Sequence, residues 1–358
     1  MKHCFFSIAF VCVVFAFAIL SMSLPVGCSS MKPSGLILVR PHSSSPKLLD
    51  IRTQSASEIV CEFSQAVNVL ALESVPVSED NEELACATAC ESECGEDGKV
   101  VITLAEKTQI GQKYKMRGTV ENSDKSSLSF EFFFLGCNDH RCNLVLSEIR
   151  DGYSSKKQEC EFIEVYAVTS GNTAGLELYS ANDGDEKIYR FPAIEVNAGD
   201  FITVHLRTLS ENCVDELGGR FDLNAKINDT CRSSRDLFAE GTASHLGGDS
   251  DVILIRESET KQILDAICYA KKSKIDAWKK KECDNACKSA YAAGVWDGES
   301  FESAFDADGF TMTHTIARQN LKALKKASFP YPNGAKYWIL TANRKEITPG
   351  KPNSTKSK

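Results

Sequence analysis

Leu144-Val145-Leu146-Ser147-Glu148-Ile149 and Glu161-Phe162-Ile163-Glu164-Val165-Tyr166 are the two runs whose reading decides the fold. Both are short, rich in apolar, β-branched or aromatic residues, and read as strands. Runs of the same kind follow at Ile188–Phe191, Phe201–Val204 after Ala198-Gly199-Asp200, Asp251–Ile255 and Ile263–Tyr269. Toward the N-terminal side, Ile59, Cys61 and Phe63 alternate with Val60 and Glu62, the period of two expected of a half-buried strand. Val100–Ala105, Tyr114–Glu121 and Leu128–Leu135 are similar, with Gly111 and Asn122-Ser123-Asp124 as turns. Short strands at this spacing predict an all-β chain built as two β-sandwiches in series. Ile275, Trp278, Cys283, Ala286, Cys287 and Ala290 recur at helical spacing instead, and predict a helix of about five turns inserted in the second sandwich. Thr311–Arg318 then reads as a return strand.

The start of the chain carries an address. Lys2 and His3 precede an apolar run from Phe5 to Leu20, followed by Leu24-Pro25-Val26-Gly27-Cys28-Ser29-Ser30. A charged start, an apolar segment and small residues at a cleavage point make a secretory signal. The run is shorter than the ~20 residues needed to span a bilayer. Cys28 after Val-Gly resembles the lipobox of bacterial lipoproteins, with Pro25 where the usual box carries Leu. The resemblance implies that residues 1–27 leave as a signal peptide and that Cys28 is the lipid attachment site, with palmitate-type chains. It places the protein on the bacterial cell envelope, at the periplasmic or surface face, with a membrane as its first partner. Residues 28–45 hold Pro33, Gly35, Pro41 and several serines, a lipidated tether with one short strand expected at Leu36–Val39.

Hydrophobic residues make up 42% of the chain and charged residues 25%, which suits packed globular domains. Charge is uneven. Thr53–Gly98 has eleven acidic side chains and no Lys or Arg, whereas Lys271–Lys358 has seventeen basic against nine acidic residues. Of fifteen cysteines, Cys4 and Cys12 leave with the signal and Cys28 takes the lipid, so twelve remain. An even set in an exported chain points to disulfides. The candidates are Cys61, Cys86, Cys90 and Cys94 in the first module, Cys137 and Cys142 at the joint, and Cys160, Cys213, Cys231, Cys268, Cys283 and Cys287 in the second. Cys137 with Cys142 is the favoured pair and Cys213 with Cys231 the next. Cys283 with Cys287 suits a disulfide poorly, being one helical turn apart.

Pro46-Lys47-Leu48, then Glu58-Ile59-Val60-Cys61-Glu62-Phe63-Ser64, then Lys113-Tyr114 through Val120, resemble bacterial immunoglobulin-like domains. From Leu144 to Asn353 the chain resembles the lamin-tail domain, itself an immunoglobulin-like β-sandwich. The resemblance is carried by the Ser-Glu-Ile strand, Glu-Phe-Ile-Glu-Val-Tyr, Ala-Gly-Asp-Phe, Asp-Ala-Ile-Cys-Tyr and Thr348-Pro349-Gly350-Lys351-Pro352-Asn353. It implies two immunoglobulin-like β-sandwiches, at 46–137 and 143–353. The second has insertions at 210–248 and 270–309, and a flexible tail follows at 354–358.

No nucleophile elbow, zinc-protease helix, P-loop or dinucleotide motif occurs, and only six histidines are present. A non-catalytic role is expected, with no cofactor. Cys86-x3-Cys90-x3-Cys94, at one spacing along a helical face, raises the alternative of a three-thiolate metal site. Lys271, Lys272, Lys274, Lys279, Lys280 and Lys281 around Trp278 suit grip on an anionic polymer, with Arg318, Lys322, Lys325 and Lys326 nearby. For an envelope protein a glycan or protein partner is expected over nucleic acid. The reading is an adhesion, scaffolding or ligand-presentation module. The alternatives are an accessory subunit of an envelope hydrolase or nuclease, and a metal-binding lipoprotein.

Overall fold

In Ser127–Leu135 apolar and polar residues alternate, which turns Leu128, Phe130, Phe132 and Phe134 to one face of an extended chain. That face, with Met116 and Val120 of Lys113–Glu121, lines one side of the first core. Ile51, Ile59, Cys61, Phe63, Val100 and Ile102 line the other. The computed structural model describes residues 30–31, 45–154, 160–184, 187–241 and 245–358. The signal peptide, Cys28 and the strand expected at Leu36–Val39 lie outside the described residues.

The first module has two antiparallel sheets. One runs Ser30–Met31, Leu48–Thr53, Glu58–Phe63, Lys99–Thr103, Glu91–Cys94. The other runs Thr88–Ala89, Asn68–Val77, Lys113–Glu121, Ser127–Leu135. Cys94 ends the strand Glu91–Cys94, Cys90 lies between it and Thr88–Ala89, and Cys86 lies in irregular chain before both, which corrects the expected helical face. Acidic neighbours and short strand pairings replace a helix there, and Cys86 and Cys94 are exposed. Among the described residues no group of three His, Cys, Asp or Glu side chains is placed to hold a metal ion.

The joint is tied from both sides. Gly136 N–H donates to Gln112 O at 2.8 Å, and Cys137 N–H to Thr108 Oγ1 at 3.3 Å, on the first module. Asn138 Nδ2 donates to Asn172 O at 3.0 Å and Ala174 O at 2.9 Å, and Cys142 N–H to Asn172 O at 3.0 Å, on the second.

The second module also layers two sheets. The six-stranded sheet runs Arg235–Phe238, Phe201–His205, Phe162–Ala167, Leu144–Arg150, Ile316–Arg318, Trp338–Leu340. The five-stranded sheet runs Lys187–Arg190, Leu176–Ser180, Ser250–Glu257, Ile263–Ala270, Phe305–Asp306. Ile163, Val165, Ile202, Val204 and Leu237 of the first meet Leu178, Ile253, Ile255 and Ile267 of the second in one core. Asp265 is buried between the layers. Its carboxylate accepts from Leu146 N–H at 2.8 Å, Arg318 Nη1 at 2.9 Å and Asn333 Nδ2 at 3.1 Å. Burial raises the Asp265 carboxyl and the Arg318 charge opposes that.

Each insertion returns an edge strand in parallel. Arg235–Phe238 lies parallel to Phe201–His205, and Phe305–Asp306 parallel to Ile263–Ala270. A parallel neighbour needs a long crossover, and the two insertions supply it. The helix is shorter than expected, Lys281–Ala292, just over three turns. Ile275 and Trp278 lie in the turns before it and pack on the core from there. The return strand is likewise Ile316–Arg318, preceded by the isolated Thr311–His314 bridge. At 38% strand and 8% helix, the protein is all-β and its helical insertion is minor.

Candidate functional site

The strands Leu144–Arg150, Phe162–Ala167, Phe201–His205 and Arg235–Phe238 are buried on both faces save at Phe201, although Glu148, Arg150, Glu164, Thr203, His205 and Asp236 on them are polar. Register explains the pattern. Glu148 faces Glu164, Glu164 faces Thr203 and Thr203 faces Asp236, one polar row across four strands. Two residues along, Phe162, His205 and Phe238 form the next row on that face. The opposite face is the apolar core. The polar rows are buried because two segments cover them: part of the 210–248 insertion, and the chain from Thr341 to Asn353.

The covering segments bond to the row itself. Thr348 donates to Glu148 Oε2 through its N–H at 3.0 Å and its hydroxyl at 3.1 Å. Thr315 Oγ1 donates to the other oxygen, Glu148 Oε1. Glu164 accepts from Ser147 Oγ at 2.6 Å and from Gly350 N–H. Asn353 Nδ2 donates to Ser147 O at 3.0 Å and Arg318 O at 2.9 Å. Gly350 adopts φ +71°, and a Cβ there would meet Ser234 Oγ and Cys231 Cβ, so only glycine lets the segment come this close. From the insertion, Glu216 accepts from Asp236 N–H at 2.9 Å and Asp215 from Phe238 N–H at 2.7 Å.

Stacked carboxylates in a dry layer resist ionisation together. Burial pushes Glu148 up to about 7, against the hydroxyl and amide donors on it. Glu164 is raised well above the carboxylate range by burial and by the charge of Glu148.

Next to it lies a thiol, imidazole and carboxylate series that sequence reading missed. His205 Nε2 lies 2.8 Å from Asp236 Oδ1, and the Cys160 thiol hydrogen-bonds the same ring. Burial pulls His205 down, but the bonds and charges of Asp236 and Cys160 outweigh it and hold the imidazolium up to about 10. Phe238 stacks on the ring at 4.7 Å. Asp236 is further held by Cys231 N–H at 3.1 Å. The three residues are far apart in sequence, and only the sheet register joins them. The one legible hint was alternation of polar with apolar residues in strands that have no wet face.

At the rim of this layer Gly199, Asp200, Phe221, Ser234, Arg235 and Gly350 line a cleft of ≈ 90 Å³. That is room for a few waters, against the ~300–1,000 Å³ of small-molecule sites.

Several lysines of the basic stretch meet partners within the chain while their side chains stay half exposed or more, as at Lys274 and Lys279. Lys271, Lys274 and Lys279 converge on Asp249, the first two at 4.0 and 3.6 Å. The Lys279 hydrogen bond holds the Asp249 carboxyl low. Lys272 Nζ donates to Glu302 O at 2.8 Å, Lys280 Nζ donates to Asn182 O, and Lys281 opens the helix. Trp278 meets the Phe301 ring edge-on at 5.4 Å. No sulfur–sulfur bond joins the twelve described cysteines. Cys213 lies 3.9 Å from Ser210 Oγ and Cys231 lies 3.2 Å from Ser233 Oγ, each with its own partner.

A 254-residue alignment relates the chain, at 27% identity, to a protein of Treponema pallidum (strain Nichols) described as uncharacterized. It covers 65% of this chain, which spans 63% of the length of that relative. The crystal structure of a DUF4876 family protein from Bacteroides thetaiotaomicron aligns over 72% of this chain and 83% of its own, at 11% identity and a TM-score of 0.28. The family model described as "TP_1001_2nd: protein second domain" matches residues 142–340, from Cys142 at the joint to the last strand of the second sandwich and more than half of the sequence. The chain belongs to that family.

Proposed function

We propose that this protein is an exported, lipid-anchored and non-catalytic module of a bacterial cell envelope. It presents loops on two immunoglobulin-like sandwiches, the second lamin-tail-like, to a protein or glycan partner. The observation that carries this reading is the sealed polar layer. Glu148, Glu164 and Asp236 face inward against donors of the chain itself, and the cleft at the rim is ≈ 90 Å³. Chemistry buried this way holds covering segments in place, and sandwich loops are where binding residues gather.

Fractionation with intact mass tests the anchor and the address. The expected species starts at Cys28, carries acyl chains and stays with membranes, whereas a Cys28→Ser variant appears in the soluble fraction. A full-length, unacylated mass in the soluble fraction overturns the reading.

Cys160, His205 and Asp236 favour a second reading, a thiol nucleophile with its base and orienting carboxylate. Alkylation of the folded protein separates the two. A structural role predicts Cys160 modified only on unfolding, and rapid modification at neutral pH supports a nucleophile.

A further inference from the structure

The helix Lys281–Ala292 lies on the strands Ser250–Glu257 and Ile263–Ala270 and turns Cys283, Ala286, Cys287 and Ala290 inward. These are small side chains three and four residues apart, one face of the helix, and they let its axis come close to the sheet. Directly beneath, the strand presents Cys268, fully buried. The Cys268 and Cys287 thiols lie within hydrogen-bond reach of each other. Cys283 is buried on the same side, one turn earlier. Behind Cys287 the carbonyls of Gly298 and Ser300 close the site at 3.6 and 3.9 Å.

We propose that Cys268 and Cys287 close a disulfide bond that staples the helix of the 270–309 insertion to the five-stranded sheet, with Cys283 remaining a thiol. The proposal deepens the export reading, since such a bond persists in an oxidising compartment. The oxidant is a disulfide of low molecular weight or the disulfide form of an exported dithiol oxidoreductase. In the undocked chain the Cys287 thiol gives its proton to solvent. Its thiolate attacks one oxidant sulfur, breaks the oxidant's S–S bond and releases one thiolate. Cys268, deprotonated in turn, attacks the Cys287 sulfur of the mixed disulfide and releases the second. One S–S bond forms and one breaks; two electrons pass to the oxidant with the two protons. Both sulfurs are buried in the folded protein, so this exchange precedes docking of the helix.

Refolding the full chain from denaturant in a reduced and oxidised glutathione buffer, followed by alkylation and non-reducing peptide mapping, tests the pairing. Cleavage before Asp284 separates Cys283 from Cys287. The expected result is a Cys268–Cys287 linked peptide with Cys283 alkylated, and the same link in a Cys283→Ala variant. Reduction is expected to lower Tm by about 5 °C in the parent chain and to have a smaller effect in Cys287→Ala. An alkylated Cys268 in the refolded parent, or a link from Cys268 to Cys283, overturns the pairing. A Cys268–Cys287 link after refolding, absent from chain alkylated directly on extraction from cells, overturns the export reading and supports the pairing.

Discussion

The two sandwiches are built from strands of similar length, yet they bury their residues differently. In the first, Ser127–Leu135 alternates buried with exposed or half-buried positions, so one face of the sheet meets water. In the second, Leu144–Arg150 and Phe162–Ala167 are buried at every position. The first module is therefore held mainly by an apolar core with rings such as Phe130 and Phe132 stacked at 6.0 Å. The second adds a polar layer whose carboxylates must each find a donor or keep a proton. The covering segment of the second module bonds buried carboxylates at Glu148 and Glu164, whereas the first module buries no carboxylate among its described residues.

The sharpest way to break that difference is Asp265→Ala. It leaves Arg318, 1% exposed, without its carboxylate, and a cost of about 4 kcal/mol is expected in the second module's urea transition. Phe132→Ala is the matched change in the first module. A cavity at this buried ring costs about 3–4 kcal/mol, expected in the first transition with the second unmoved. If both variants shift one shared transition, the modules unfold as a unit and the comparison fails.

pH separates the modules next. Glu148 is raised from 4.5 to about 7 in the folded state, so the native state binds the extra proton and the second module loses stability as pH rises from 4.5 through 7. His205 is raised from 6.5 to about 10, so its contribution is complete below 6.5 and is lost as pH rises through 10. Thermal melts from pH 5 to pH 10 are expected to show a continuous decline for the second module. Glu148→Gln is expected to flatten the lower half of it, by on the order of 2 kcal/mol. Stability rising over that range would contradict the buried-proton assignment.

A smaller effect is expected at Gly350→Ala, about 2 kcal/mol from strain at positive φ and the lost approach to Ser234. Hydrogen exchange should rise around Thr348–Asn353 while the first module stays unchanged. The smallest is Lys125→Ala. Its ion pair with Glu121 at 2.6 Å leaves the lysine side chain 75% exposed, and less than about 0.5 kcal/mol is expected.

Strand positions were legible because alternation is a local property. Ile59–Phe63, Tyr114–Glu121 and Leu128–Leu135 differ from the structure by no more than a residue at each end. The helix was half legible. Its inner face, Cys283, Ala286, Cys287 and Ala290, followed the period, but Ile275 and Trp278 matched that period by packing onto the same core from non-helical turns. Cys86, Cys90 and Cys94 illustrate the converse, since their spacing of four fits a helix while the chain there forms only the short strands Thr88–Ala89 and Glu91–Cys94. The Cys160, His205 and Asp236 series was illegible, because no spacing connects residues joined only by sheet register.

By itself the sequence determined which segments are extended, where the chain turns and which residues alternate. The tertiary structure alone decided that Glu148, Glu164, His205 and Asp236 are buried, that three lysines turn to Asp249, and that Cys268 lies under Cys287. The reason is physical. A period of two assigns side chains to faces, but what covers a face is set by segments tens to hundreds of residues away. For an ionisable group, that cover decides whether it meets water or must be answered by another part of the chain.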